Sequence, residues 1–166
     1  MNKPVVHIYR GIPGSGKTTA IKLLKDSLQL PDETDCAFSA DDFWINHATG
    51  AYEFDPKRIG EAHAWCFRQF IEALECLEDF PQDSDEHPQH LFVDNTNIRA
   101  WEISPYVQAA NAYGWDHEIV TVHCNPKIAH ARNVHQVPLA VVWAMHVKLL
   151  TEELPPHWKQ TITFGD

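Results

Sequence analysis

The chain has 166 residues, 44% of them apolar and 22% charged, and 13 basic side chains against 23 acidic ones leave a formal charge of −10 at pH 7. That length predicts a single domain over residues 1–166 that buries about two-thirds of its unfolded surface, and the composition excludes a disordered or fibrous chain. The acidic balance repels phosphate backbones, so any nucleic acid would have to meet a local basic patch.

The Val5–Arg10 stretch carries a short apolar run, Val5, Val6, Ile8 and Tyr9, that stops at a glycine-rich turn, and it reads as a buried strand. From Lys17 the apolar positions Ala20, Ile21, Leu23, Leu24 and Leu28 recur at helical spacing until Leu30-Pro31. Residues 37–40 suggest a second short strand, and residues 43–54 a loop with Gly50 at its turn. Asp55-Pro56 supplies an N-cap and a first-turn proline, after which Ala64, Phe67, Ile71 and Leu74 make one face of a helix reaching residue 77. Residues 78–90, with Pro81, Pro88 and the acids Glu78, Asp79, Asp83, Asp85 and Glu86, read as a solvated, mobile loop.

Leu91, Phe92 and Val93 form another buried strand ending at Asp94. Ser104-Pro105 is expected to open a helix that Gly114 closes, and residues 119–122 give a further strand. Two more helix openings follow at Asn125-Pro126 and Val137-Pro138, the second leading through Val141, Val142, Met145 and Leu149. There is no internal repeat. Strands alternating with helices imply an α/β fold, a parallel sheet covered on both faces with its ligand site beyond the carboxyl ends of the strands. No apolar run approaches the roughly 18 residues of a membrane span, and residues 1–10 lack the layout of a signal peptide. The expected location is the cytosol, without a membrane partner. Cys36, Cys66, Cys76 and Cys124 show no C-x-x-C spacing and read as reduced core residues rather than zinc ligands.

The strongest chemical signal is Gly11-Ile12-Pro13-Gly14-Ser15-Gly16-Lys17-Thr18, a complete G-x-x-x-x-G-K-[ST] phosphate loop placed between a strand and a helix, with Thr19 beside it. Backbone N–H groups of such a loop can meet phosphate oxygens at the positive end of the helix. Lys17 can reach the terminal phosphates and the Thr18 hydroxyl can hold Mg²⁺, so ATP with Mg²⁺ is the expected pair of cofactors. Asp94, ending an apolar strand, is the natural second metal contact, against the plainer reading of a turn cap. Asp41 and Asp42 follow the second strand, where a carboxylate could accept a proton from a substrate hydroxyl; otherwise one caps the next segment and both are solvated. Arg132, on a short segment before Pro138, reads either as a lid arginine that meets charge on a migrating phosphoryl group or as an ordinary surface arginine.

These stretches, together with residues 39–43, residues 92–97, Tyr113-Gly114-Trp115 and residues 132–138, occur in the order of the phage-type polynucleotide 5′-hydroxyl kinase domain, which the chain resembles from Val5 to about Leu150. It looks closer to that domain's cellular relatives, ATPases that include animal binding proteins of a Nedd-type ubiquitin ligase, through residues 61–65 and Trp101-Glu102 as well. The resemblance implies a three-layer P-loop fold with a helical lid, Asp41 as catalytic base, Asp94 as the metal-linked acid and Arg132 as the lid arginine. In the phage kinase an arginine that grips nucleic acid stands three residues after the base, and here that position is Trp44. The phage enzyme's phosphatase domain has no counterpart in this sequence. His63 and Trp65 pack into the core or line the acceptor groove, and Trp44 stacks on a base or does not. The expected activity is transfer of the γ-phosphoryl group to a hydroxyl, first that of a single-stranded polynucleotide 5′ end. A small metabolite, nucleoside, nucleotide sugar or hydroxymethylated DNA base is the alternative acceptor, and a slow ATP-binding switch the alternative class.

Overall fold

Strand β1 (Val5–Arg10) is apolar toward both sides, and a strand of that kind must be sandwiched. The computed structural model, which describes residues 3–30, 36–78 and 90–165, places it at the centre of a parallel sheet. Beyond β2 (Ala37–Phe38), β3 (His90–Asp94), β4 (Asp116–His123) and β5 (Gln160–Phe164), no other strand joins it among the described residues, and the order is β2-β3-β1-β4-β5. All four pairings are parallel, with Val6 opposite Leu91, Ile8 opposite Val93 and Ile119, and Ile119 opposite Gln160.

Residues paired across neighbouring strands share a face, so ring contacts show which helix covers which side. His7 stacks on Phe92 at 5.2 Å, and Lys25 of α1 (Lys17–Ser27) lies 5.6 Å over that same ring, so α1 covers one face. On the other face Phe38 meets Phe70 of α2 (Ile59–Glu78) edge-on at 5.6 Å. Phe70 in turn meets Tyr106 of α3 (Ala100–Ala112) at 5.2 Å. The result is the expected three-layer arrangement. A smaller cluster of Ile12, Ile98, Cys124, Ala129, Val142 and Leu149 seats α4 (Pro126–Arg132) and α5 (Leu139–Thr151) near the carboxyl edge.

Several expectations need correction. Helix α3 starts at Ala100 and carries Pro105 inside it. Glu102 accepts the Arg99 N–H at 2.6 Å and Glu152 accepts the Ala100 N–H at 2.8 Å, so carboxylates satisfy the free donors at the start of the helix, six and five residues before the proline. The strand foreseen at residues 37–40 is only Ala37–Phe38, because Ser39 caps a 3-10 turn over Ala40–Trp44 by accepting the Asp41 N–H at 3.2 Å. Strand β5 had no counterpart in the sequence reading. Cys36, Cys66 and Cys124 are buried, but Cys76 is exposed on α2. The loop read at residues 78–90 lies, over residues 79–89, outside the described residues. No helix among the described residues is long and apolar enough to cross a membrane.

Strand β5 matters because of where it ends. The Gly165 N–H donates to the His123 carbonyl at 2.9 Å, which brings residue 165 against the phosphate loop. A Cβ there would stand 1.7 Å from the Ser15 carbonyl oxygen, so only glycine fits. Gly165→Ala is therefore expected to cost about 1–3 kcal/mol through forced separation of two backbones. Urea unfolding checks this, and an unchanged midpoint would mean that the strand end yields freely.

His7 gives the fold a pH dependence at the opposite end of β1. It is 5% exposed, bonded to His90 at 3.0 Å and 3.5 Å from the Glu118 carboxylate. Burial lowers its pKa from 6.5 to about 4, with the nearby His90 adding to the effect and Glu118 opposing it. The folded state thus binds its proton less readily than the unfolded chain, so this contribution is complete above about pH 6.5 and is lost as the pH falls toward 4. Between pH 7 and pH 5 wild type should lose about 2 kcal/mol more than His7→Leu, measured by urea unfolding at both pH values. Parallel losses in the two proteins would refute the assignment.

Candidate active site

All the groups singled out by charge chemistry leave the sheet at one edge. β1 runs into the phosphate loop, β3 ends at Asp94, β2 leads into the turn that holds Asp41 and Asp42, and β4 leads into α4. The Thr18 hydroxyl donates to Asp94 Oδ2 at 2.6 Å, so the two expected metal contacts meet across 76 residues of chain. Lys17 is 9% exposed, and its ammonium donates to the Gly11 and Ile12 carbonyls at 3.2 and 3.3 Å. Burial lowers its pKa, and the charges of Asp94 and Asp41 pull it back up. A buried ammonium whose hydrogen bonds among the described residues go to neutral carbonyls is a site that favours an anion.

Other features of the loop fit a nucleotide phosphate. Helix α1 has no side-chain cap and no acidic residue in its first turn, which leaves its positive end to a ligand. Ser15 Oγ is fully buried with no hydrogen-bond partner among the described residues. Pro13 is half-buried, and Thr19 is exposed on the first turn of α1. Gly14 adopts φ +78°, and a Cβ on it would lie 2.1 Å from the Ala129 carbonyl oxygen. That close approach sets the backbone of α4 directly against the loop. The Arg132 guanidinium donates to the Gly165 carbonyl at 2.9 Å, beside Ser15.

Asp41 is the better-connected of the adjacent acids. The Tyr52 hydroxyl donates to its Oδ1 at 3.0 Å, and His135 Nε2 lies 3.4 Å from its Oδ2. Its side chain remains 55% exposed, which leaves lone pairs open to a further donor. Asp42 is exposed as well, yet partial burial pushes its carboxyl pKa up, with the charges of Asp41 and Asp94 adding to the effect. Tyr52 and His135 escaped the sequence reading. They stand 83 positions apart and belong to no phosphate-loop motif, so no local signal joins them.

Of the proposed acceptor residues, Trp44 must be corrected. It is 5% exposed, with ring edges against Phe43 at 4.9 Å and Phe54 at 5.1 Å, so no face is left on which a base could stack. It anchors the turn that carries Asp41. Trp65 is half-buried, packed against the core and 6.1 Å from the Phe43 ring, and His63 is half-buried on the same helix.

Comparison with known proteins agrees with this fold. A family model described as an AAA domain matches residues 6–139. NEDD4-binding protein 2 of Homo sapiens is 38% identical over 104 residues, a stretch that is 62% of this chain but only 5% of the human protein. Among solved structures, a gluconokinase from Sinorhizobium meliloti 1021 superposes with a TM-score of 0.59 at 12% identity, over 99% of this chain and 85% of that one. The AvrRxo1-ORF1:-ORF2 complex with ATP superposes with a TM-score of 0.62 at 21% identity, over 89% of this chain and 47% of that one. With a match that spans most of its length, and with the fold of the P-loop kinases, the chain belongs to this AAA domain family.

Proposed function

We propose that the protein is an ATP-dependent kinase that transfers the γ-phosphoryl group to a hydroxyl acceptor, with a polynucleotide 5′-hydroxyl as the first acceptor class. The observation that carries this reading is that Lys17, the Thr18–Asp94 pair and Asp41 occupy one sheet edge, with Lys17 in the field of both carboxylates. A pure nucleotide switch has no need of the last of these groups. Lys17 and the loop amides hold the phosphates, and Thr18 and Asp94 hold Mg²⁺, which supplies charge neutralisation on the phosphate oxygens. Asp41 accepts the acceptor's hydroxyl proton as that oxygen bonds to the γ-phosphorus. The bond from phosphorus to the bridging oxygen breaks, and its electron pair stays on ADP. Arg132 exchanges the Gly165 carbonyl for the charge that develops on the transferring group.

A second reading, a kinase of a small hydroxylated metabolite, is favoured by one observation. The position where a gripping arginine would serve a polynucleotide is a buried tryptophan in a chain of charge −10. Incubation with γ-labelled ATP and a panel of 5′-hydroxyl DNA, 5′-hydroxyl RNA, nucleosides and sugars separates the two readings by which compound is labelled. Asp41→Asn should cut transfer by about 10² or more with ATP affinity nearly intact, and Arg132→Ala should lower kcat by a similar factor. Lys17→Ala should abolish most turnover. If a 5′-hydroxyl end is the acceptor, the salt dependence of its KM should be shallow, with a log–log slope of about 1 to 3. No labelled product from any acceptor, or full activity in Asp41→Asn, would overturn the kinase reading.

A further inference from the structure

Two segments with no sequence relation converge on the carboxylate of Asp41, and they hold it unequally. Tyr52 arrives on a strap that is itself fixed. Ile45 and Tyr52 pair in an antiparallel bridge, the Glu53 N–H donates to the Trp44 carbonyl at 2.8 Å, and Asn46 Nδ2 donates to Glu53 at 2.9 Å. Burial, followed by the Asp41 charge and hydrogen bond, raises the phenol's pKa, so near neutral pH Tyr52 is a hydroxyl that donates to Oδ1. His135 comes from the exposed segment between α4 and α5, where its N–H donates to Asn133 Oδ1 at 3.0 Å and Gln136 takes a φ of +54°. Its Nε2 stands 3.4 Å from Oδ2, well beyond the roughly 2.9 Å of a good N–H···O bond. The two rings stack with centroids 4.6 Å apart.

We propose that Tyr52 and His135 are positioning residues for Asp41, Tyr52 fixing one oxygen permanently and His135 covering the other until an acceptor hydroxyl displaces it. The proposal rests on the reading of Asp41 as the proton acceptor. A base with both oxygens free rotates about its Cβ–Cγ bond, and the proton it must take then meets it in the wrong geometry. The Tyr52 bond removes that freedom, and because it uses one lone pair of Oδ1 it leaves Oδ2 as the oxygen presented to substrate. The His135 contact is long and is made from an exposed segment, so an incoming hydroxyl at normal hydrogen-bond distance replaces it at little cost. Its ring then lies beside the entering group, where Tyr52 supplies a flat neighbour. Lys17 and Asp42 are charged groups that feel the Asp41 carboxylate from the phosphate loop and from its own turn.

The test uses the full chain, ATP with Mg²⁺, and two acceptors: a 5′-hydroxyl oligothymidylate and water, the latter read as ATP hydrolysis without oligonucleotide. Tyr52→Phe should lower kcat about tenfold or more for whichever acceptor reacts, with the KM for ATP unchanged. His135→Ala should instead lower the KM for the oligonucleotide, or raise hydrolysis, by about threefold or more, with kcat for transfer close to wild type. Thermal melts establish that both variants are folded, as expected for side chains on the surface. If the oligonucleotide is never labelled, the polynucleotide reading fails while the hydrolysis data still decide this one. Normal kcat in Tyr52→Phe would overturn the proposal. So would a loss in His135→Ala as deep as that in Asp41→Asn, which would make His135 a catalytic residue in its own right.

Discussion

Three hydrogen bonds from the segment that follows β3 hold the carboxyl edge of the sheet in register. Asn95 Oδ1 accepts the Ala40 N–H at 2.8 Å, the Thr96 carbonyl accepts the Gly11 N–H at 2.9 Å, and Asn97 Nδ2 donates to the Tyr9 carbonyl at 2.7 Å. Parallel strands leave their last backbone groups without partners exactly where a ligand must bind, and buried groups of that kind cost about 1–3 kcal/mol each if unmet. Here one short segment meets them on both sides. It ties the turn carrying Asp41 to the end of β3, and it ties the end of β1 and the start of the phosphate loop to that same segment. The distances between Asp41, Asp94 and Lys17 are therefore set by hydrogen bonds of this one segment beneath the site. Asn97 accepts a φ of +44° to make its bond, a conformation that asparagine tolerates better than most side chains. The Asn95 amide turns its other end toward the Cys66 sulfur and the Tyr106 hydroxyl at 3.5 and 3.4 Å, which extends the same network into α2 and α3.

A second constraint is charge. The chain as a whole is acidic, yet its centre holds two cations, Lys17 and Arg10, each less than a tenth exposed. Arg10 donates to the Ile98 carbonyl at 2.9 Å, and although burial lowers its pKa, the carboxylates of Glu152 and Glu102 oppose that shift. Glu152 is also held by the Ala100 N–H and by Arg99 at 2.7 Å, and these bonds keep its own pKa low. So Arg10 has dedicated acidic neighbours and serves the fold, joining β1 to the segment before α3. Lys17 has Asp94 and Asp41, both of which the proposed reaction engages otherwise. The difference between a structural and a functional buried cation lies in which of its counter-charges are free to leave.

The elements that were legible in sequence are those whose signal is local. The phosphate loop reads from eight consecutive residues, and α2 from its helical period behind Asp55-Pro56, a capped 3-10 turn opening the helix, although its buried face runs through Ala62, Cys66, Phe70 and Leu74 and leaves Ala64 exposed. The central strands were visible as apolar runs because they are covered on both faces. Strand β5 was not, since an edge strand with Ile162 and Phe164 62% and 71% exposed mixes threonine with exposed apolar residues. Helix α3 was misplaced because the Ala100 N–H at its start is met by Glu152, 52 residues away, which no window around Pro105 contains. Trp44, whose stacking role the sequence left open, has a related explanation: it is buried at the end of its turn by Phe43 and Phe54, and Phe54 lies ten positions further along.

The arginine of the lid shows how the resting structure constrains the proposed chemistry. Because Gly14 packs against the Ala129 carbonyl, α4 cannot swing away without separating two backbones, so closure by rigid movement of that helix is disfavoured. What remains is a change within the Arg132 side chain, whose guanidinium now spends a donor on the neutral Gly165 carbonyl at 2.9 Å. A charge-assisted bond to a phosphoryl oxygen is roughly twice as strong as a bond to a carbonyl, so the exchange runs downhill once negative charge is present. The Gly165 carbonyl left behind sits at the protein surface, where water can replace the lost donor. On this view the end of β5 acts as a parking place that holds the arginine beside the loop, and the step that brings it into play is a rotation of one side chain about a fixed helix.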